Sequence, residues 1–213
     1  MSYQTGTCLL LSLMLFSFLC SLLRCRAAGI ALYWLSALLG WEFLAETAGT
    51  FAAYHYHSNY FVYSVSAPVG LLMATLYFHF SSKPVKHYRL CLFLFAAIAL
   101  LQAANLLLLE PVHALNTIFQ QMKCLSIVAY CLLHAYNYIS YPAQAQLNFH
   151  IACLFLLYYG SSFFLRTAIG LLDSTQNALI HHLYGMLFIT SLLFYLLTGL
   201  ALLFSKNKPP DHG

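Results

Sequence analysis

The sequence predicts an all-α polytopic membrane protein, a bundle of seven transmembrane helices with the amino terminus outside and the carboxyl terminus in the cytoplasm. The first observation is composition: the 213 residues are 62% hydrophobic and only 7% charged, and the mean hydropathy is +0.78. An ordinary soluble domain carries about 25% charged residues. The second is length, because seven apolar stretches reach the roughly 20 residues needed to cross a bilayer. The third is the position of the basic residues, which cluster beyond alternate ends of these stretches.

The predicted spans follow one another with short connections and leave no stretch long enough for a separate soluble domain. They are residues 7–23, 28–53, 60–80, 90–109, 117–139, 147–165 and 179–204. We therefore expect a single seven-helix membrane domain over residues 1–205 and a short cytoplasmic tail over residues 206–213.

The first span is predicted to be a helix and not a signal peptide, since no Lys or Arg precedes it and Arg24 and Arg26 follow it. An amino terminus outside puts seven of the nine basic residues in the cytoplasm. These are Arg24, Arg26, Lys83, Lys86, Arg89, Lys206 and Lys208. The reverse orientation would place the same seven outside.

The second span carries two carboxylates, Glu42 and Glu46, at a spacing of four residues that puts them on one face of a helix. Ionisable residues inside a bilayer are rare and usually face the bundle interior or a hydrated cavity. Such a pair predicts an inward-facing polar centre.

The fifth span carries a lysine within a polar stripe, and an ammonium at this depth costs about 3 kcal/mol unless it is paired or hydrated. Intervals of three and four residues place the stripe on one helical face. Its members are Asn116, Gln120, Lys123, Ile127, Tyr130, His134 and Asn137. The opposite face is suited to lipid or apolar helices and comprises Ile118, Met122, Leu125, Val128 and Leu132. At about 1.5 Å rise per residue, Lys123 and Glu46 both lie roughly 10 Å below the outer ends of their helices. We therefore expect a buried Glu46–Lys123 ion pair, with Glu42 deeper.

These residues predict a polar pocket in the outer half of the bundle, open to the outside, for a small ligand or a proton. Its predicted members are Glu42, Glu46, Tyr63, Gln102, Asn105, Gln120, Lys123, His181 and His182. The alternative is that buried polar residues only join helices, at roughly 0.6 kcal/mol per hydrogen bond. At the cytoplasmic end of the stripe, we interpret His134 and Asn137 as ordinary interfacial residues.

No cofactor or metal is predicted. Haem ligation needs inward-facing histidines at one depth, and the outer histidines lie too near the surface. Neither H-E-x-x-H nor H-x-x-x-H occurs, which disfavours a zinc hydrolase. A retinal protein would need its lysine in the seventh span, whereas Lys123 is in the fifth. No basic run or nucleic-acid motif is present, so no nucleic-acid partner is expected.

The segment Asn59–Phe80, the acidic second span and the run I-H-H-L-Y-G over residues 180–185 resemble a group of small seven-helix proteins of Bacteroidetes. In that group an Asn and paired Tyr or His open the third span. An acidic residue in or after the third span is also usual there, and this chain has Val69 to Leu72 instead. The group has no established activity. The resemblance implies a multi-pass protein of the inner (cytoplasmic) membrane.

The sequence favours a sensory or accessory protein without chemistry of its own. Its partners would be the lipid bilayer, a small ligand, and a cytoplasmic signalling protein or the other subunits of a membrane complex, since its own loops and tail are short. The alternative is a small secondary transporter or proton-coupled carrier using Glu46 and Lys123. A structural assembly subunit is the third hypothesis.

Overall fold

The computed structural model describes residues 3–81, 96–97, 112–140, 146–172 and 177–205, and these residues are almost entirely α-helical. Six helices have defined bounds: α1 Tyr3–Ala28, α2 Ile30–Tyr56, α3 Tyr60–Ser81, α4 Val112–Ser140, α5 Gln146–Leu171 and α6 Asn177–Phe204. The all-α prediction is confirmed. The fourth predicted span, 90–109, lies outside the described residues except for residues 96–97, which are helical.

Four of the described helices are long and apolar enough to cross a membrane. The qualifying stretches are Gln4–Cys25, Phe61–Ser81, Gln146–Leu171 and Ala178–Phe204, in α1, α3, α5 and α6. The other two, α2 and α4, have 27 and 29 residues. They are the helices that carry Glu42, Glu46 and Lys123. Four helices of this kind indicate a membrane protein.

Among the described helices, each packs against its neighbours in sequence, and α6 packs against α1, so that the six form a closed ring. Most adjacent helices are antiparallel. The exceptions are α3 with α4, where Thr75 bonds to Tyr130 and Phe78 packs against His134, and α1 with α6.

One end of this ring holds the start of α1, the end of α2 and the starts of α3, α4 and α6. We call the half of the ring next to it the mouth half, and the other half the closed half. The closed half is filled by large side chains that are at most 2% exposed: Leu32, Leu35, Leu71, Tyr77, Tyr130, Ile151 and Leu202. Between the halves, Phe155 contacts the rings of Tyr77, Tyr159 and Phe194, with centroids 5.9, 5.6 and 5.2 Å away.

Two local features join helices at the closed end. Gly29 has φ 86°, a conformation that other residues rarely adopt, and it forms a one-residue link between α1 and α2. The Arg24 guanidinium donates through Nε to the Leu202 carbonyl at 2.8 Å and through Nη2 to Ser205 Oγ at 2.6 Å. A cation is favourable at the carboxyl end of a helix, so Arg24 fastens α1 to the end of α6.

Candidate ligand pocket

A cavity of about 700 Å³ occupies the mouth half, and all six described helices contribute to its wall. Its polar lining is Glu42, Glu46, His57, Ser58, Asn59, Tyr63, Ser66, Gln120, Lys123, Cys124, Tyr158, Tyr159, Ser162, Arg166, Tyr184, Ser191 and Tyr195. Its apolar lining is Leu10, Met14, Ala45, Ala53, Leu187 and Phe188. The cavity therefore has a polar wall and an apolar patch formed by α1 and α6.

An ion pair joins α4 to α2 at the inner end of the cavity, between Lys123 Nζ and Glu42 Oε1. The side chains are 6% and 19% exposed. The predicted pairing of Lys123 with Glu46 is therefore wrong. The physical reason is that Glu42 and Glu46 lie one helical turn apart, about 5.4 Å, and the four-carbon lysine stem covers that distance. Depths counted along the helix axis do not distinguish the two carboxylates.

Glu46 has a different partner. The Tyr63 hydroxyl on α3 donates a hydrogen bond of 3.0 Å to Glu46 Oε2. The tyrosine fits because it faces Gly49, where a Cβ would lie only 2.9 Å from the Tyr63 hydroxyl oxygen. A glycine one turn from Glu46 thus creates the space for its hydrogen-bond donor.

The ion pair depends on a glycine as well. A Cβ at Gly70 on α3 would lie 2.9 Å from Lys123 Nζ and 3.0 Å from Glu42 Oε1. The pair therefore rests directly against the α3 backbone. Lys123 also lies 5.9 Å from the ring centroid of Tyr159, within the range of a cation–π attraction.

Arg166 on α5 is the second cation of the cavity. Within the described residues it has neither a hydrogen bond nor an ion pair, and its Nε atom is buried without a partner. Ser162, one turn earlier on the same helix, also has a buried hydroxyl without a partner. These two residues line the cavity on one face of α5.

The structure brings five of the nine predicted pocket residues to this cavity: Glu42, Glu46, Tyr63, Gln120 and Lys123. His181 and His182 are exposed on α6 and do not line it. Their positions near the start of α6 matched the depth of the site, but their side chains face outward. Gln102 and Asn105 lie outside the described residues. The interpretation of His134 and Asn137 as interfacial is wrong, because both are buried in the closed half, 1% and 3% exposed.

Sequence reasoning missed Arg166 as a pocket residue, since its charge and its place near a helix end favoured an exterior position. The available signal was the spacing of Ser162 and Arg166, which puts a hydroxyl and a guanidinium on one face of a predicted span. Tyr158 and Tyr159 also line the cavity. The Tyr158 ring stacks on the Phe194 ring, with centroids 4.4 Å apart, and closes the cavity wall between α5 and α6.

Within the described ranges, no three His, Cys, Asp or Glu side chains are grouped closely enough to hold a metal ion. Comparison of the chain with models of protein families, with curated proteins and with solved structures finds no match.

Proposed function

We propose that this protein binds a small polar ligand or a proton in the central cavity and serves as a sensory or accessory subunit of the inner membrane, without chemistry of its own. The observation that carries this proposal is the cavity, with a charged pair at its inner end and walls from six helices. Ligand pockets commonly enclose about 300–1,000 Å³. A bundle with only a structural role would be expected to fill such a space, because protein interiors are close-packed.

The proposed topology has seven crossings, with residues 90–109 as the fourth. Support comes from the parallel arrangement of α3 and α4, which both begin at the mouth end. A chain that leaves α3 at Ser81 has to return to the mouth end before α4 begins at Val112. Parallel neighbours always need such a crossover connection, and this one has enough apolar residues to cross a bilayer.

We further propose that the mouth faces outward and the closed end faces the cytoplasm. Arg24, one of the predicted cytoplasmic residues, lies at the closed end. In this orientation the cavity takes its ligand from outside, and a cytoplasmic signalling protein or a membrane complex receives the signal at the closed end.

Cysteine labelling tests whether the cavity is open to solutes. Ser162 and Thr198 are a matched pair, because both are almost completely buried and both have an unpartnered hydroxyl. Only Ser162 lines the cavity. Protein in lipid vesicles is treated with a water-soluble methanethiosulfonate reagent, and labelling of Ser162→Cys and Thr198→Cys is measured by peptide mass spectrometry, which separates the new cysteines from the native ones.

We expect Ser162→Cys to be labelled at least about tenfold faster than Thr198→Cys, from the side of the membrane that holds the amino terminus. Equal and slow labelling of both variants would show that the cavity admits no solute, and the proposed function would then be wrong. Labelling from the opposite side would reverse the topology.

A proton-coupled carrier is the second candidate function, because buried polar side chains continue along α4 beyond the cavity. Tyr130, His134 and Asn137 follow Lys123 on the same face and are at most 3% exposed. In this hypothesis Glu46 and Lys123, with Glu42, exchange protons with the substrate. Proteoliposomes with an internal pH-sensitive dye test it: a carrier acidifies or alkalinises the lumen under a substrate gradient, and a sensor leaves the pH unchanged.

A further inference from the structure

We infer that the cavity recognises a small carboxylate, a monoanion with an apolar body, through Arg166 and Ser162. This inference rests on the proposed function, because it requires a cavity that admits a solute. It goes further by assigning the recognising residues and the chemical class of the ligand.

The first step is the distribution of charge in the cavity. Glu42 and Lys123 neutralise each other in an ion pair. Glu46 accepts the Tyr63 hydrogen bond. Arg166 is the cation that remains: within the described residues, no carboxylate pairs with it. Arg166 is partly buried, and its Nε atom is buried without a hydrogen-bond partner among the described residues, so an anion that enters the cavity gains most by binding there.

The second step is the geometry of α5. Ser162 and Arg166 are one turn apart on the face that lines the cavity, and each has a buried polar atom that finds no hydrogen-bond partner in the described part of the chain. A hydroxyl and a guanidinium at this spacing can donate to the two oxygens of one carboxylate. Guanidinium groups form bidentate, charge-assisted bonds with carboxylates, which makes Arg166 the principal donor.

The third step concerns the charge of the ligand. Glu46 lines the same cavity, and its carboxylate interacts electrostatically with Arg166. A monoanion at Arg166 is tolerated beside Glu46, whereas a phosphate dianion would bring a second negative charge toward that carboxylate. Like charges in a cavity of low dielectric repel strongly, so Glu46 selects against dianions.

The fourth step concerns the body of the ligand. Leu10 and Met14 of α1, with Leu187 and Phe188 of α6, form the apolar patch of the cavity wall. A ligand held by its carboxylate at α5 can cover this patch with a hydrocarbon or aromatic group. Benzoate has both parts and is a suitable probe.

The experiment measures the thermal unfolding midpoint of the purified full chain in an uncharged detergent with benzoate, benzyl alcohol or phenyl phosphate. A compound that binds only the folded protein raises the midpoint. We expect benzoate to raise it and the two other compounds, at equal concentration, to leave it nearly unchanged. The dissociation constant of benzoate should rise about 10- to 100-fold in Arg166→Gln, because a charge-assisted bond is lost.

Arg24→Gln is the matched control, since it removes an arginine bonded at the closed end, and it should keep the benzoate response. Glu46→Gln gives an independent test that needs no loss of binding: phenyl phosphate should now raise the midpoint. A benzoate response that survives in Arg166→Gln would overturn the inference, and so would phenyl phosphate that stays inert with Glu46→Gln.

Two further outcomes separate this inference from the proposed function. If Ser162→Cys is labelled and benzoate has no effect, the cavity is open but its ligand is not a carboxylate, and this inference alone fails. An added anionic phospholipid could instead raise the midpoint of the unchanged protein but not that of Arg166→Gln, while benzoate has no effect. The anion at Arg166 would then be a lipid headgroup, and the inference of a small carboxylate would be overturned. An unlabelled Ser162→Cys removes both proposals.

Discussion

The mouth half and the closed half of the ring contain polar side chains in two different arrangements. In the closed half, several hydroxyls bond to carbonyls of their own helix, as Ser21 does to Phe18 and Ser36 to Leu32. In the mouth half, polar groups bond across helices, as Lys123 does to Glu42 and Tyr63 to Glu46. A bond within one helix holds no neighbour in place, whereas a bond across helices fixes the position of both partners. Bonds across helices also occur in the closed half, as Thr75 forms with Tyr130 and Arg24 with Leu202. Among the described residues, the ion pair of Lys123 with Glu42 belongs to the mouth half, so this half joins its helices through opposite charges.

The largest loss of stability is expected when the ion pair of the mouth half is broken. Lys123→Met removes a buried ammonium and leaves the partly buried Glu42 carboxylate without its partner, so it should destabilise the protein by about 3–5 kcal/mol. Adding Glu42→Gln should recover most of this loss, because no isolated charge then remains. Reversible unfolding in mixed micelles measures each variant.

Glu46→Gln in the Lys123→Met background is the control, and it should recover little, since Glu46 bonds to Tyr63. If Glu46→Gln restores as much stability as Glu42→Gln, then Glu42 is not the specific partner of Lys123.

The next effect compares packing on one helix. Leu202 in the closed half is fully buried, and Leu202→Ala should cost about 3 kcal/mol through the cavity that it leaves. Leu187 lines a cavity that already exists, so Leu187→Ala removes fewer contacts and should cost less than about 1 kcal/mol. Unfolding free energies measured under identical detergent conditions test this difference, and equal losses would show that the mouth half is packed as tightly as the closed half.

A smaller effect comes from adding a methyl group at three glycines. At Gly199 a Cβ would meet the Phe16 ring, with Cδ1 at 2.7 Å, and the Ser17 backbone at 3.3 Å, so Gly199→Ala should cost about 2 kcal/mol. At Gly70 the Cβ would meet the ends of the Lys123 and Glu42 side chains at the inner end of the cavity. These ends can move, so Gly70→Ala should cost about 1 kcal/mol.

Gly185→Ala is the control for these substitutions, because a Cβ there meets nothing within 4 Å. The better helix propensity of alanine should make it neutral or stabilising by up to about 1 kcal/mol. A greater loss of stability in Gly70→Ala than in Gly199→Ala would show that the ends of the Lys123 and Glu42 side chains cannot move away from the added methyl group. Midpoints of thermal unfolding rank the three variants.

The smallest effect tests a bond across helices in the closed half. Thr75 Oγ1 lies 3.1 Å from the Tyr130 hydroxyl, and Thr75→Val should cost about 0.6 kcal/mol, the average for such bonds in a membrane protein. Thr47→Val, which removes only an own-helix bond on an exposed surface, should cost nearly nothing. If Thr75→Val leaves stability intact but stops proton movement in proteoliposomes, the polar residues of α4 conduct protons and the carrier hypothesis gains.

Residue spacing predicted the inward face of α4 well. Lys123, Ile127 and Tyr130 are at most 5% exposed. On the opposite face Leu125 and Leu132 are at least half exposed, whereas Met122 and Val128 are partly buried against the core. A period of 3.6 residues is a property of one helix, so a single sequence is enough to find it. The same reasoning found the acidic face of α2.

Spacing could not give the partner of Lys123 or the role of Arg166. The choice between Glu42 and Glu46 depends on the space left by Gly70 and Gly49, which belong to different helices. Rotation of one helix against another decides which side chains meet, and no period within one helix contains that information. For the same reason, spacing along the chain did not reveal that the side chains of His181 and His182 face away from the cavity.

The closure of the ring by α1 and α6 has a consequence for biosynthesis. A ribosome delivers α1 before α6, so α1 waits for its partner through the synthesis of the helices between them. Until then the face of α1 that packs against α6 has no partner helix. Arg24 has no carbonyl of Leu202 to bond, and Phe16 has no Gly199 to pack against. A chain released before α6 would carry Glu42, Glu46, Lys123 and Arg166 and would still lack the part of the cavity wall that α6 supplies.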